Sequence, residues 1–364
     1  MNPIQELAEL GQSVWYDQMT RSLITEGTLA RMIEEDDLGG LTSNPTIFEK
    51  AIAGSGEYEN VLQQLAREGR SAEEIYDAIV LEDIGGAADL FRKRWEQSGG
   101  EHGYVSLEVS PKLAHDADGT VEEARRYHAA LDRPNVMIKV PATPEGISAI
   151  ETLIGDGIPV NVTLIFSQAM YERVMEAYIR GIEKRVASGA DAFVPSVASF
   201  FVSRIDSKVD AELDGKSEGE KLKGKIAIAN AKVAYRQFLE KFGDERFGAL
   251  EERGARVQRP LWASTSTKNP DYRDVLYVES LIGPDTVDTL PPATYDAFRD
   301  HGTAEQTITR GLDDAHAQLA KLAELGIDLD QITENLMVEG VASFAKSFDS
   351  LMETIEKRRA DCAA

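Results

Sequence analysis

The chain has 364 residues, 42% of them hydrophobic and 28% charged, which is ample material for a large globular core. Its formal net charge of −24 makes nucleic acid and anionic membranes poor partners. A single cysteine, Cys362, and five histidines without HxxxH or HxH spacing leave no basis for disulfides or a zinc site.

Short apolar runs, many of them rich in β-branched or aromatic residues, predict strands at Ser13 to Tyr16, Gly40 to Thr42, Tyr104 to Val109 and Val136 to Val140. Further runs follow at Val160 to Ile165, Ala192 to Phe200, Leu261 to Ala263 and Thr286 to Leu290. Helical periodicity lies between them. Ile75 to Trp95 is helical and ends at Gly99-Gly100, and Thr120 to Glu123 reads as a capping box opening the next helix. Thr143 precedes a first-turn proline, as an N-cap does. Gln168 to Arg185 and Lys225 to Phe242 are long amphipathic segments, and Ile332 to Arg358 reads as one or two helices packed on the barrel. Gly54-Ser55-Gly56 lacks a P-loop lysine and reads as a loop, and Asp214 to Gly224 as a charged insertion.

Eight strand candidates alternating with helices predict an α/β fold, a (β/α)8 TIM barrel with additional terminal helices. A doubly wound sheet competes, but no G-x-G-x-x-G follows any strand. We expect one domain over residues 1–364, since a barrel takes roughly 250 residues and the surplus fits the extra helices. No apolar run approaches the ~18 residues of a membrane span, and no signal peptide is visible, so a cytoplasmic protein is expected.

Lys139 lies inside the apolar run Val136-Met137-Ile138-Lys139-Val140. Burying an unpaired ammonium costs several kcal/mol, and desolvation favours the neutral amine, a nucleophile for carbonyl carbon. The bland alternative is a strand-end lysine reaching into water. In a barrel of this kind chemistry is done at the carboxyl ends of the strands, so other unusual polar residues should collect there. They do: Asp17, Thr42, Asn44, Glu108, Asn161 with Thr163, Ser199 with Arg204, and Ser264 through Lys268. Each has a bland reading. Asp17 can be a helix cap, Asn44 a turn former before Pro45, and Arg204 a partner of Asp206. Glu108 is the hardest to dismiss, because it carries the same burial cost as Lys139.

The segments Trp15-Tyr16-Asp17, Leu41-Thr42-Ser43-Asn44-Pro45-Thr46, Ser106-Leu107-Glu108-Val109-Ser110, Ile138-Lys139-Val140-Pro141-Ala142-Thr143, Asn161-Val162-Thr163-Leu164-Ile165-Phe166-Ser167 and Ala198 to Asp206 occur in one order along most of the chain. In that order they resemble the transaldolase family, in its longer bacterial branch. The resemblance implies a class I aldolase-like barrel without cofactor or metal, acting on sugar phosphates in the non-oxidative pentose phosphate pathway. Such an enzyme moves a dihydroxyacetone unit from sedoheptulose 7-phosphate to glyceraldehyde 3-phosphate, giving erythrose 4-phosphate and fructose 6-phosphate. By position, Lys139 resembles the Schiff-base lysine and Asp17 the acid/base of C–C cleavage. Glu108 and Thr163 resemble the pair that holds the catalytic water. Thr42, Asn44, Asn161 and Ser199 resemble ligands of the dihydroxyacetone part, and Arg204 and Ser264 ligands of phosphate. Phe201 resembles a phenylalanine that stands where fructose-6-phosphate aldolases carry a tyrosine. One departure is visible: many members place a second arginine in a Ser-x-Arg after the seventh strand, where this chain has Ser264-Thr265-Ser266, with Lys268 two residues on. A plain class I aldolase and a non-catalytic sugar-phosphate binding barrel are the alternatives. Monomer and homodimer both stay open.

Overall fold

The computed structural model describes residues 2–363. Its centre is a closed barrel of parallel strands in the order β1 to β8, each neighbour in space also the neighbour in sequence. The strands are β1 Gln12–Asp17, β2 Gly40–Thr42, β3 Tyr104–Glu108, β4 Val136–Pro141, β5 Val160–Ile165, β6 Ser196–Phe201, β7 Arg259–Ala263 and β8 Thr286–Leu290. Parallel strands need long crossovers, and helices supply them, which is why the strands read as near-continuous apolar runs buried on both faces. The (β/α)8 expectation therefore holds.

Most helices fall where periodicity puts them. The Ala72–Gln97 helix carries a capping box at Ser71 and Glu74, and Thr143 caps the Pro144–Asp156 helix by accepting from Gly146 N–H. Gln168–Ala187 and Ile226–Phe242 match the two amphipathic segments. Residues 214–225 between the Ser203–Leu213 and Ile226–Phe242 helices form turns without regular helix, as the charged insertion requires.

Two local expectations fail for physical reasons. The capping box at Thr120 does not form. The helix opens earlier, at Ala117, because Asp116 accepts from Gly119 N–H at 3.0 Å; Thr120 instead donates to Leu113 O. The sixth strand begins at Ser196 rather than Ala192, because Pro195 has no N–H to give a ladder. The carboxyl-terminal segment is one helix, Leu329–Ala363.

Two close approaches fix what surrounds the site. A Cβ on Gly40 would lie 2.6 Å from the Trp15 ring and 2.7 Å from Tyr104 O, so only glycine lets β2 sit tight between β1 and β3. In β5, Leu164 adopts a left-handed φ of 60° beside a break in register between Val162 and Ile165. That conformation costs about 1–2 kcal/mol for a non-glycine residue. Leu164 packs on Gly340 of the Leu329–Ala363 helix, where an added Cβ would come within 2.9 Å of it. The same helix is tied down by Thr46 Oγ1 to Ser347 Oγ at 2.9 Å and by ion pairs Lys208–Glu339 and Lys112–Asp349, each at 2.8 Å. It thereby crosses the carboxyl-terminal mouth of the barrel. No helix among the described residues is long and apolar enough to cross a membrane.

Candidate active site

Strand register brings the site together. Glu108 of β3 lies beside Lys139 of β4, and Lys139 beside Asn161 of β5. Thr163, two residues along β5, pairs with Pro141. Lys139 is 4% exposed and Glu108 5%, so the lysine is inside the barrel and the reading of an ammonium reaching into water is excluded. Lys139 Nζ lies 3.4 Å from Glu108 Oε2 and donates to Ser43 O at 3.3 Å. Above it, the Phe344 ring of the Leu329–Ala363 helix has its centroid 5.9 Å away.

A cavity of about 450 Å³ opens over this lysine. Nine of the residues singled out in the sequence line it: Asp17, Thr42, Asn44, Lys139, Ser199, Phe201, Arg204, Ser264 and Lys268. Glu108, Asn161 and Thr163 stand one layer behind. Asn161 is fully buried, accepting from Ser199 Oγ at 2.7 Å and donating to Ser106 Oγ at 3.0 Å, so both ends of its amide are used to orient hydroxyls. Glu108 Oε2 and Thr163 Oγ1 are buried without hydrogen-bond partners among the described residues. These free lone pairs flank Lys139 from the two neighbouring strands.

The bland readings sort out individually. Asp17 caps no helix; Thr20 caps the helix that follows. Asp17 instead accepts from Thr42 Oγ1 at 2.6 Å, and Thr42 is 2.6 Å from Thr289 Oγ1. A hydroxyl has one proton, so if Thr42 donates to Asp17 then Thr289 donates to Thr42. Asn44 does cap a helix, accepting from Ile47 N–H at 3.0 Å, and also borders the cavity. Arg204 does not pair with Asp206, which takes Ala227 N–H and Tyr277 O–H; its guanidinium sits 5.2 Å over the Phe201 ring. Ser264 holds a positive φ of 58° and is 3.0 Å from Ser203 Oγ.

Burial sets the electrostatics. It pushes the Asp17 carboxyl up, against the lowering by Lys139, the Thr42 hydroxyl, Arg204 and Lys268. It also pushes Glu108 up, against Lys139, with Asp17 adding to the rise. Burial drives Arg204 and Lys268 down, and Lys268 is driven further by Arg204 and Lys50.

The sequence reading missed Thr289, Lys50, Ser343 and Phe344. Thr289 was findable, since it is the last polar residue of the eighth predicted strand. Ser343 and Phe344 reach the cavity only through the long-range docking of their helix. A second hollow of about 180 Å³ lies at the opposite end of the barrel, far from Lys139, where Arg256 and Arg259 mix with Glu101, Glu251 and Asp285. No group of His, Cys, Asp and Glu able to hold a metal occurs among the described residues.

A closed barrel with a buried lysine between carboxylates at its carboxyl-terminal mouth defines a class I aldolase-like architecture. The Transaldolase/Fructose-6-phosphate aldolase family pattern matches residues 14–355. The chain is 50% identical to a transaldolase of Thiobacillus denitrificans, covering 98% of this chain and 100% of that one. It is 48% identical to a transaldolase of Neisseria gonorrhoeae, over 97% of this chain and 99% of the relative. Transaldolase 1 of Streptomyces coelicolor is also 48% identical, over 97% and 94%. The chain belongs to the transaldolase/fructose-6-phosphate aldolase family.

The Lys139–Glu108 contact yields a pH test. Lys139→Met deletes the cation that lowers Glu108, so the folded-state pKa of Glu108 climbs further above its unfolded value. A raised carboxyl stabilises the fold while protonated, and that stability is lost as pH rises through the folded pKa. Urea unfolding of Lys139→Met should therefore lose stability more steeply than wild type as pH rises above the ordinary carboxylate range. Parallel curves would contradict the assignment.

Proposed function

We propose that the protein is a transaldolase, transferring a dihydroxyacetone unit from sedoheptulose 7-phosphate to glyceraldehyde 3-phosphate. The observation that carries this reading is Lys139, buried beside Glu108 and facing a cavity lined also by Asp17, Arg204 and Lys268. A sugar phosphate spans that arrangement naturally, its ketone at the lysine and its phosphate at the cations. The domain is read as one barrel over residues 1–364 acting in the cytoplasm.

In this reading the Lys139 amine attacks the ketose carbonyl. Glu108, 3.4 Å from Nζ and with its carboxyl raised by burial, is placed to accept the proton that leaves nitrogen as the C–N bond forms. Loss of water from the carbinolamine gives an iminium, and Glu108 with Thr163 holds that water through their free lone pairs. Asp17 then takes the donor hydroxyl proton as the C–C bond breaks. The electron pair remains as an enamine on Lys139 until an aldehyde acceptor arrives. Thr289 and Thr42 hold the Asp17 carboxylate from behind, leaving its other oxygen for the substrate. Ser199, oriented by Asn161, serves the dihydroxyacetone hydroxyls together with Thr42 and Asn44.

The enamine must not be protonated while aldehydes exchange. Phe201 lines the cavity, packed on Phe166 with ring centroids 5.1 Å apart, and brings no proton donor. This favours transfer over the plain aldolase reaction.

Turnover of fructose 6-phosphate should require an added aldehyde acceptor. Asp17→Asn should lower kcat by about 10²–10⁴-fold, the range of a lost general acid/base. Release of dihydroxyacetone at the same rate without acceptor would favour the aldolase alternative. Separately, Phe201→Tyr should raise acceptor-independent cleavage of fructose 6-phosphate, measured as dihydroxyacetone release. No gain would remove Phe201 from the account.

A further inference from the structure

Lys50, midway along the Pro45–Gly54 helix, reaches the rim of the same cavity. Three cations from three separate elements line this region: Lys50, Arg204 at the start of the Ser203–Leu213 helix, and Lys268 in the loop after β7. Among the described residues, none of the three pairs with a carboxylate within ion-pair distance; the one side-chain bond of Lys268 is to Ser266 Oγ at 2.7 Å. In a chain with a net charge of −24, carboxylates are plentiful, and many other lysines and arginines have found one. An unneutralised triplet is costly in the free protein, since Arg204 and Lys50 both repel the Lys268 ammonium. A bound dianion relieves that repulsion.

The position of Lys50 is fixed by the local fold. Asn44 caps the helix, Pro45 opens it, and Thr46 is held to Ser347, so the first turn cannot slide. Lys50 follows little more than one turn after Thr46 and is delivered to the rim. In the same lining, Ser264 and Ser266 bring hydroxyls where a forked guanidinium would have supplied directed charge, while Thr265 is buried and donates to Asp288. One ammonium equals a guanidinium in charge but not in its fork of donors, so two ammonium groups on opposite flanks of an anion make up for the missing fork as point donors.

We propose that Lys50 is a third cationic ligand of the substrate phosphate, supplying with Lys268 the contacts that the fork of a second arginine would make. The proposal rests on the reading of the cavity as a sugar-phosphate site. Lys50 acts on binding and specificity, not on the chemical step, because its side chain is exposed at the rim whereas Lys139 is buried.

The test is calorimetric titration of inorganic phosphate into wild type, Lys50→Ala and Lys50→Arg, with KM and kcat for fructose 6-phosphate measured beside it. Lys50→Ala should weaken phosphate binding and raise KM by about tenfold, the size of a charge-assisted contact, with kcat little changed. Lys50→Arg should recover most of both losses. Unchanged phosphate affinity and KM in Lys50→Ala would overturn the proposal. So would a fall in kcat and thermal stability with affinity intact, which would mark Lys50 as structural. Wild-type protein that binds phosphate but turns over no sugar phosphate would overturn the transaldolase reading instead, and the titration would still decide the role of Lys50.

Discussion

An ammonium group inside a β-barrel has to be matched by its neighbours, and in this protein the match is made across strands. Register places Glu108 on one side of Lys139 and Asn161 on the other. The carboxylate at 3.4 Å offsets part of the burial cost, but the contact is long and Oε2 keeps a free lone pair. In this contact burial pushes the Glu108 carboxyl up while Lys139 lowers it. The Leu329–Ala363 helix covers part of this pair by laying Phe344 over the lysine.

The docking of that helix is where the structure holds strain. Leu164 takes a left-handed conformation in β5 to meet Gly340, and glycine there permits the approach. The same strand carries Asn161 and Thr163, so the distortion that seats the helix lies next to the residues behind Lys139. Polar groups are divided by depth. Asn161, Glu108 and Thr163 are buried behind the cavity wall and hold or orient, while Asp17, Thr42, Ser199 and the cations face the space a substrate would fill. Cations gather toward one side of that space, giving it a polarity opposite to that of the acidic chain around it.

The barrel was legible because strand and helix periodicities alternate cleanly and because parallel strands buried on both faces are apolar throughout. The site was legible for a related reason: Lys139, Glu108, Asn161 and Thr163 interrupt runs that packing alone would fill with Val, Ile or Leu. Where the reading failed, competition between local signals decided. Asp116 outcompeted Thr120 as a cap, and Pro195 shortened the sixth strand. Lys50 and Phe344 carried no mark in the sequence, since a lysine or a phenylalanine on an amphipathic helix is ordinary. Their importance comes from where tertiary packing puts them.

The central claim is that Lys139 forms the covalent bond to substrate. Incubation with fructose 6-phosphate and borohydride, followed by peptide mass mapping, tests it most directly, because reduction fixes an iminium to the lysine that formed it. The account predicts a reduced adduct on Lys139 and no adduct in Lys139→Met. A label on another lysine, or one present equally in the variant, would contradict it.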